Sequence, residues 1–265
     1  MLKTGQRVYQ IYKEDGFVTV INKASRFAVR QSYRSVYGPI YARNKSYADT
    51  NPCKILWVDP NQITHESRSR MKEVLGSKPF DEPNVVYSGR WDKDCRKFAE
   101  KYVPQSLRLR FNQGYDWTET PYYAKRKQTI QQKGSWRGLS SEEELLNYLR
   151  ELDELYERIK SEGYKTQTEL LASRPSETRE LNNDAPDPEL NEIGVNIGRD
   201  GKFIWQFRGQ HRLAIAQLLD IDEVPVQVLT RHSKWQRLRR KMQSADSVDG
   251  KTQQFHTHPD ISEVT

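Results

Sequence analysis

Apolar residues recur along this chain at two different periods, and each period predicts an element. Leu145, Leu149, Leu152, Tyr156 and Ile159 fall on one stripe at helical spacing, which predicts a helix over roughly 142–162. Ser141 and Glu144 supply a capping box at its start, and Gly163 stands where a C-cap belongs. Further on the period shortens to two. Ile193, Val195 and Ile197 alternate, as do Phe203, Trp205 and Phe207, with Asp200-Gly201 between them as a tight turn. A helix is predicted from His211 to about Leu219, and Val224, Val226 and Val228 then alternate as another strand.

The first half of the chain carries weaker patterns. Residues 54–58 predict a strand ended by Asp59-Pro60-Asn61, and 64–76 a short polar helix. Val85-Val86-Tyr87 reads as a second short strand, followed by a turn at Gly89–Asp92. Residues 93–102 predict a helix with Phe98 and Tyr102 on one face. Residues 106–135, rich in aromatics such as Phe111, Tyr115, Trp117, Tyr122 and Tyr123, show no period and read as irregular. Trp91, Asp92 and Trp117 read as packing and capping groups. Phe17–Ile21 is a further strand candidate, and residues 173–190 a polar connection.

Only 35% of the 265 residues are hydrophobic, so much of the chain must be surface. The net charge of +7 fits ordinary solubility or a polyanionic partner. Residues 1–50 hold nine Lys or Arg against three acids, interleaved with Tyr33, Tyr37, Tyr41 and Tyr47. They form either an appendage on the main domain or a surface that stacks on bases. Arg231, Lys234, Arg237, Arg239, Arg240 and Lys241 make a basic run without an acid. On a helix they could follow the phosphate backbone of DNA. Alternatively, they are a solvated extension docked through Trp235 and Leu238. Cys53 and Cys95 form no CxxC, which argues against a disulfide framework or a zinc site. His256, His258 and Asp260 sit in a polar tail and read as a chance cluster, so no metal site is expected. No apolar run approaches the roughly 20 residues of a membrane span, and Met1–Gly5 lacks a signal-like apolar core. A cytoplasmic protein with no membrane partner is therefore expected.

The segment that carries chemistry is Gly209-Gln210-His211-Arg212, between a strand and a helix. A glycine lets the chain turn sharply, and the first N–H groups of the following helix attract anions. Arg212 could grip a phosphate through two N–H groups, and His211 could donate a hydrogen bond or shuttle a proton. The plainer alternative is a turn whose His and Arg satisfy local carbonyls.

The surroundings of this turn resemble the ParB/sulfiredoxin superfamily. The run Gly201–Val228 (GKFIWQFRGQHRLAIAQLLDIDEVPVQV) has that family's hairpin, G-x-H-R turn, short Ala-rich helix and V-P-V strand. Leu155–Gly163 followed by Gln167 resembles its helix-Gly-x-x-Q element, and Ile55–Ile63 its first strand. The resemblance implies an α/β (α+β) fold with an N-terminal extension and a large insertion. It divides the chain into a basic Tyr-rich region (1–50), a first strand with an aromatic insertion (51–140), a core (141–232), and a basic helix with a polar tail (233–265). It implies a nucleotide or phosphate site at Gly209, Gln210, His211 and Arg212, joined by Arg158 and Gln167. The ligand would be a nucleoside di- or triphosphate with Mg2+. The position of the catalytic cysteine of sulfiredoxins is Gln210 here, which argues against sulfinic acid reduction. The 33 residues after His232 are too few for the helix-turn-helix and dimerisation domains of partition proteins. The turn also resembles that of ADP-dependent free serine kinases, which carry a His-Glu pair after the first strand. His65-Glu66 matches that pair, which implies Glu66 as general base, with His211 beside it. Nucleotide binding with nucleic acid as partner, a small-molecule kinase and a non-catalytic interaction module all remain open at this point.

Overall fold

The computed structural model describes Ala48 and residues 54–67, 84–174, 188–206, 208–244 and 253–262. Its strands are β1 (Ile55–Val58), β2 (His65–Ser67), β3 (Val85–Tyr87), β4 (Cys95–Lys97), β5 (Ile193–Ile197), β6 (Phe203–Trp205) and β7 (Val224–His232). Its helices are α1 (Tyr102–Gln113), α2 (Pro121–Lys133), α3 (Glu142–Glu162), α4 (Gln167–Ser173), α5 (Gln210–Leu218), α6 (Ser233–Ser244) and α7 (Pro259–Ser262). Together they form an α/β fold, as expected. No helix among the described residues is long and apolar enough to cross a membrane.

The sheet runs β1-β7-β5-β6-β2-β4. β7 is long enough to pair twice along one edge. Its first half is antiparallel to β1 and its last three residues are parallel to β3. β5 lies parallel along its other edge. Every residue of β5 and β7 is buried, as expected of central strands covered on both faces. α5 packs on α1, α3 and β5, while α6 packs on β7, β3 and α7.

The strongest sequence signals fold as predicted. α3 starts at the Ser141–Glu144 capping box, ends at Gly163, and buries the stripe from Leu145 to Ile159. The hairpin β5–β6 and the strand β7 form at the expected places. Phe207, the strand candidate at 17–21, the tyrosines of the N-terminal region and Cys53 lie outside the described residues.

Three expectations need correction. The polar helix over 64–76 begins instead as strand β2, wedged between β6 and β4. Ladder hydrogen bonds and the cross-strand pair of Glu66 with Arg96 outweigh a weak helical preference there. Residues 68–76 lie outside the described residues. The helix over 93–102 is instead β4, then a single 3-10 turn at Phe98–Glu100. The stretch 106–135 is not irregular, because α1 and α2 fill most of it. Both helices end in a left-handed glycine, Gly114 and Gly134, and α2 opens on a Thr120 cap with Pro121 at its first turn.

The tail is also more structured than its polarity suggests. Residues 253–262 dock beside α6, with Asp260 and Ile261 buried. The Asp260 carboxylate accepts from the Arg231 guanidinium and from Trp235 Nε1 at 2.9 Å, and the Asp260 carbonyl accepts from Arg239 Nε at 3.0 Å. His258 accepts the Asp260 N–H on Nδ1, so its Nε2 donates to the Gly201 carbonyl at 2.8 Å. Both residues are thus spent on structure. Among the described residues, no group of three or more His, Cys, Asp or Glu gathers to hold a metal.

Candidate functional site

β2 and β6 run parallel, with Glu66 beside Trp205, so their carboxyl ends lie side by side. Open α/β sheets commonly place ligands at such an edge. Just past it the chain turns into α5. Trp205 Nε1 donates to the Arg208 carbonyl at 2.8 Å, which closes the turn. Gly209 then takes a left-handed conformation at φ 71°. A Cβ there would stand 2.7 Å from Cγ1 of Ile193 and 3.0 Å from its Cα. The glycine is therefore needed both for the backbone conformation and for close packing on β5.

No side chain caps α5. The first turn of a helix leaves its N–H groups without intrahelical acceptors, so this end carries a partial positive charge. Gln210 Nε2 is buried at the same place and has no hydrogen-bond partner. Asn196 donates to Ser67 Oγ at 3.2 Å and to Gln206 Oε1 at 3.1 Å, leaving its own buried Oδ1 without a partner.

His211 is held by tyrosines of α2 and α3. Its Nε2 shares a 2.9 Å hydrogen bond with the Tyr122 hydroxyl from α2, and the two rings stack at 5.6 Å. Tyr148 of α3 meets the imidazole edge-on at 6.3 Å. Burial pushes the Tyr122 phenol well above its ordinary range, with Tyr148 adding to the effect. Tyr122 therefore stays a neutral phenol. Beyond it stands Arg126, whose guanidinium lies 4.3 Å from the Trp136 ring centroid, 5.1 Å from Tyr102 and 5.5 Å from Tyr122. Its Nη2 donates to the Tyr102 hydroxyl. Neither Tyr122 nor Arg126 could be assigned to the site from sequence, because both come from a helix whose apolar face is too sparse to announce it.

Arg212 faces the other way, which corrects the idea that it grips a ligand phosphate. Its Nη1 donates to Glu192 Oε2 at 2.9 Å and to the Tyr164 hydroxyl at 3.1 Å, and its Nη2 to the Asn191 carbonyl. Burial pushes the Glu192 carboxyl up, against the pull of this guanidinium. Gln167 is corrected in the same way: it is buried, and its backbone N–H donates to Glu192 Oε1. Arg158 lines a narrow cleft of about 40 Å³ between α3 and α4, with Lys165, Arg174 and Arg212 in its walls. The structure thus gathers Gly209, Gln210 and His211 at the turn, and sets Arg212 and Gln167 behind it as an internal anchor.

Glu66 is buried, with a relative exposure of 3%. Arg96 donates to one of its oxygens and Lys101 to the other. Burial lowers the Lys101 amine, while Glu66 pulls it back up. The Lys101 amine lies 4.7 Å from the Trp205 ring centroid, which connects this ion cluster to the turn through one side chain. Both carboxylate oxygens are engaged, which is a poor resting state for a general base.

The basic run at 231–241 divides in two. Arg231 and Arg239 are 2% and 1% exposed and bind Asp260, so neither can touch a nucleic acid. Lys234, Arg237, Arg240 and Lys241 are exposed on α6, whose inner side buries Trp235, Gln236 and Met242. No family model, curated protein or solved structure matches the chain.

Proposed function

We propose that the protein binds a nucleotide or related phosphate ester at the Gly209-Gln210-His211 turn and acts with nucleic acid through the exposed face of α6. The observation that carries the first part is the uncapped start of α5, with a buried Gln210 amide that has no acceptor. Donors left without acceptors beside a half-buried histidine fit an anionic ligand. The resemblance of Gly201–Val228 to the ParB/sulfiredoxin superfamily supports the same reading. On that resemblance the ligand is a nucleoside di- or triphosphate. Its Mg2+ would be held chiefly by the phosphates, since no carboxylate cluster gathers among the described residues. The nucleic-acid part rests on Lys234, Arg237, Arg240 and Lys241, exposed on a helix without a single acid. Small-molecule kinase chemistry has less support, because Glu66 would first have to leave Arg96 or Lys101 to act as a base.

A thermal-shift screen with ATP, ADP, CTP and GTP, each with Mg2+, tests the first part. A ligand at 100 times its dissociation constant should add about 2.7 kcal/mol of stability. The paired variant is Gln210→Ala, which touches the turn without cutting the Glu192–Arg212 anchor. A shift that the variant weakens supports the reading. No shift with any nucleotide leaves an interaction module as the better description. For the second part, Lys234→Glu with Arg237→Glu should weaken duplex binding and flatten its dependence on salt.

A further inference from the structure

Arg126 is the cation the sequence did not single out. It has no carboxylate partner among the described residues, and its Nε is buried without an acceptor. The arginines buried outright among the described residues are neutralised: Arg212 by Glu192, and Arg231 and Arg239 by Asp260. A half-buried guanidinium with a buried, unpaired N–H is a costly arrangement unless something anionic completes it. The surroundings also hold it in place. Tyr102, Tyr122 and Trp136 present ring faces to it, and the Tyr102 hydroxyl accepts from one end of the fork. Such a cage restrains a guanidinium without cancelling its charge.

Its position gives that charge a use. The Tyr122 ring touches Arg126 at 5.5 Å and His211 at 5.6 Å, so the guanidinium and the α5 turn share one neighbour. Tyr102, Trp136, Tyr148, Arg126 and His211 are all partly exposed around the buried Tyr122. Arg126 and His211 therefore border the same ring, and each keeps part of its surface open.

We propose that Arg126 binds the second phosphate of a diphosphate-bearing ligand whose first phosphate sits on the N–H groups at the start of α5. Helices α1 and α2 are then part of the binding site. The inference rests on the phosphate reading of the α5 turn and goes beyond it by naming the ligand as a diphosphate. Arginine suits the task because its planar fork can meet two phosphate oxygens at once.

Isothermal titration of the full chain with inorganic pyrophosphate and with orthophosphate tests it. Wild type should prefer pyrophosphate. Arg126→Gln should lose roughly ten- to a hundred-fold in pyrophosphate affinity, the usual effect of removing a charged hydrogen-bonding partner. Its weaker orthophosphate binding should be unchanged. Arg126→Lys, which keeps the charge and loses the fork, should fall between the two. It also serves as the reporter if Arg126→Gln does not fold. Equal pyrophosphate affinity in wild type and in both variants would overturn the role of Arg126 and leave the α5 turn standing. No binding of either anion to wild type would overturn both.

Discussion

In an Arg212→Ala variant, Glu192 keeps its carboxylate in the interior and loses the guanidinium that neutralises it. The Tyr164 hydroxyl and the Asn191 carbonyl lose a donor in the same step. Cutting one partner out of a buried pair costs roughly 3–5 kcal/mol, because the other charge stays behind. In a chain of this size each kcal/mol moves the melting temperature by about 2–4 °C, so a fall of roughly 6–20 °C is expected. The loss should depend on pH. Burial already pushes the Glu192 carboxyl up, and without Arg212 nothing opposes it. A carboxyl raised above its unfolded value of about 4.3 contributes stability below that pH and loses it as pH rises. The deficit against wild type should therefore be larger at pH 7.5 than at pH 5. Urea unfolding followed by circular dichroism at both values measures it. Adding Glu192→Gln to the variant should restore part of the loss at pH 7.5. A deficit under about 1 kcal/mol at pH 7.5, with phosphate binding abolished, would show that Arg212 serves a ligand and not the fold.

Other substitutions probe the remaining anchors. Asp260→Asn should cost roughly 3–5 kcal/mol by urea unfolding, since Arg231 and Arg239 would stay buried without a carboxylate. Burial would raise the Asp260 carboxyl, but Arg231 outweighs it and holds the group low. Its contribution is therefore present above pH of about 3.9 and lost as pH falls. Asp92 behaves alike: hydrogen bonds from Arg199 overcome its burial and hold its pKa at about 2. Burial lowers His258, and its Nδ1 is already accepting the Asp260 N–H. Acidification below about pH 6.5 should therefore weaken the docking of residues 253–262, which hydrogen exchange would detect as reduced protection there. Gly209→Ala should cost about 1–2 kcal/mol for its backbone conformation and more for the contact with Ile193. Gly134→Ala, with open space around it, should show the first cost alone.

What could be read in advance depended on whether a signal was local. α3 carries its cap, its stripe and its terminal glycine within its own residues, and all three form as written. The β5–β6 hairpin and β7 announce themselves by alternation. α1 and α2 did have local marks, in Gly114, Gly134 and the Thr120-Pro121 start. Their faces are too polar for periodicity to show, because the apolar residues they bury are few: Val103 and Leu107 on one, Tyr122 and Tyr123 on the other. Glu66 reads as a surface carboxylate until β4 brings Arg96 beside it. The turn itself was legible, but its partners were not. Tyr122 lies 89 positions from His211, and nothing local to either residue encodes their contact. Arg212 points inward because Glu192 waits on the far side, and that carboxylate belongs to the connection before β5.

Hydrogen exchange of the full chain, with and without ADP and Mg2+, is the most direct test of a phosphate site at the start of α5. Bound phosphate would occupy the N–H groups of that first turn and slow their exchange. Protection should therefore appear in peptides covering 205–216, and with it in those covering 120–136, while α6 and residues 253–262 stay unchanged. Protection confined to α6, or to the cleft between α3 and α4, would contradict a phosphate site at the α5 turn.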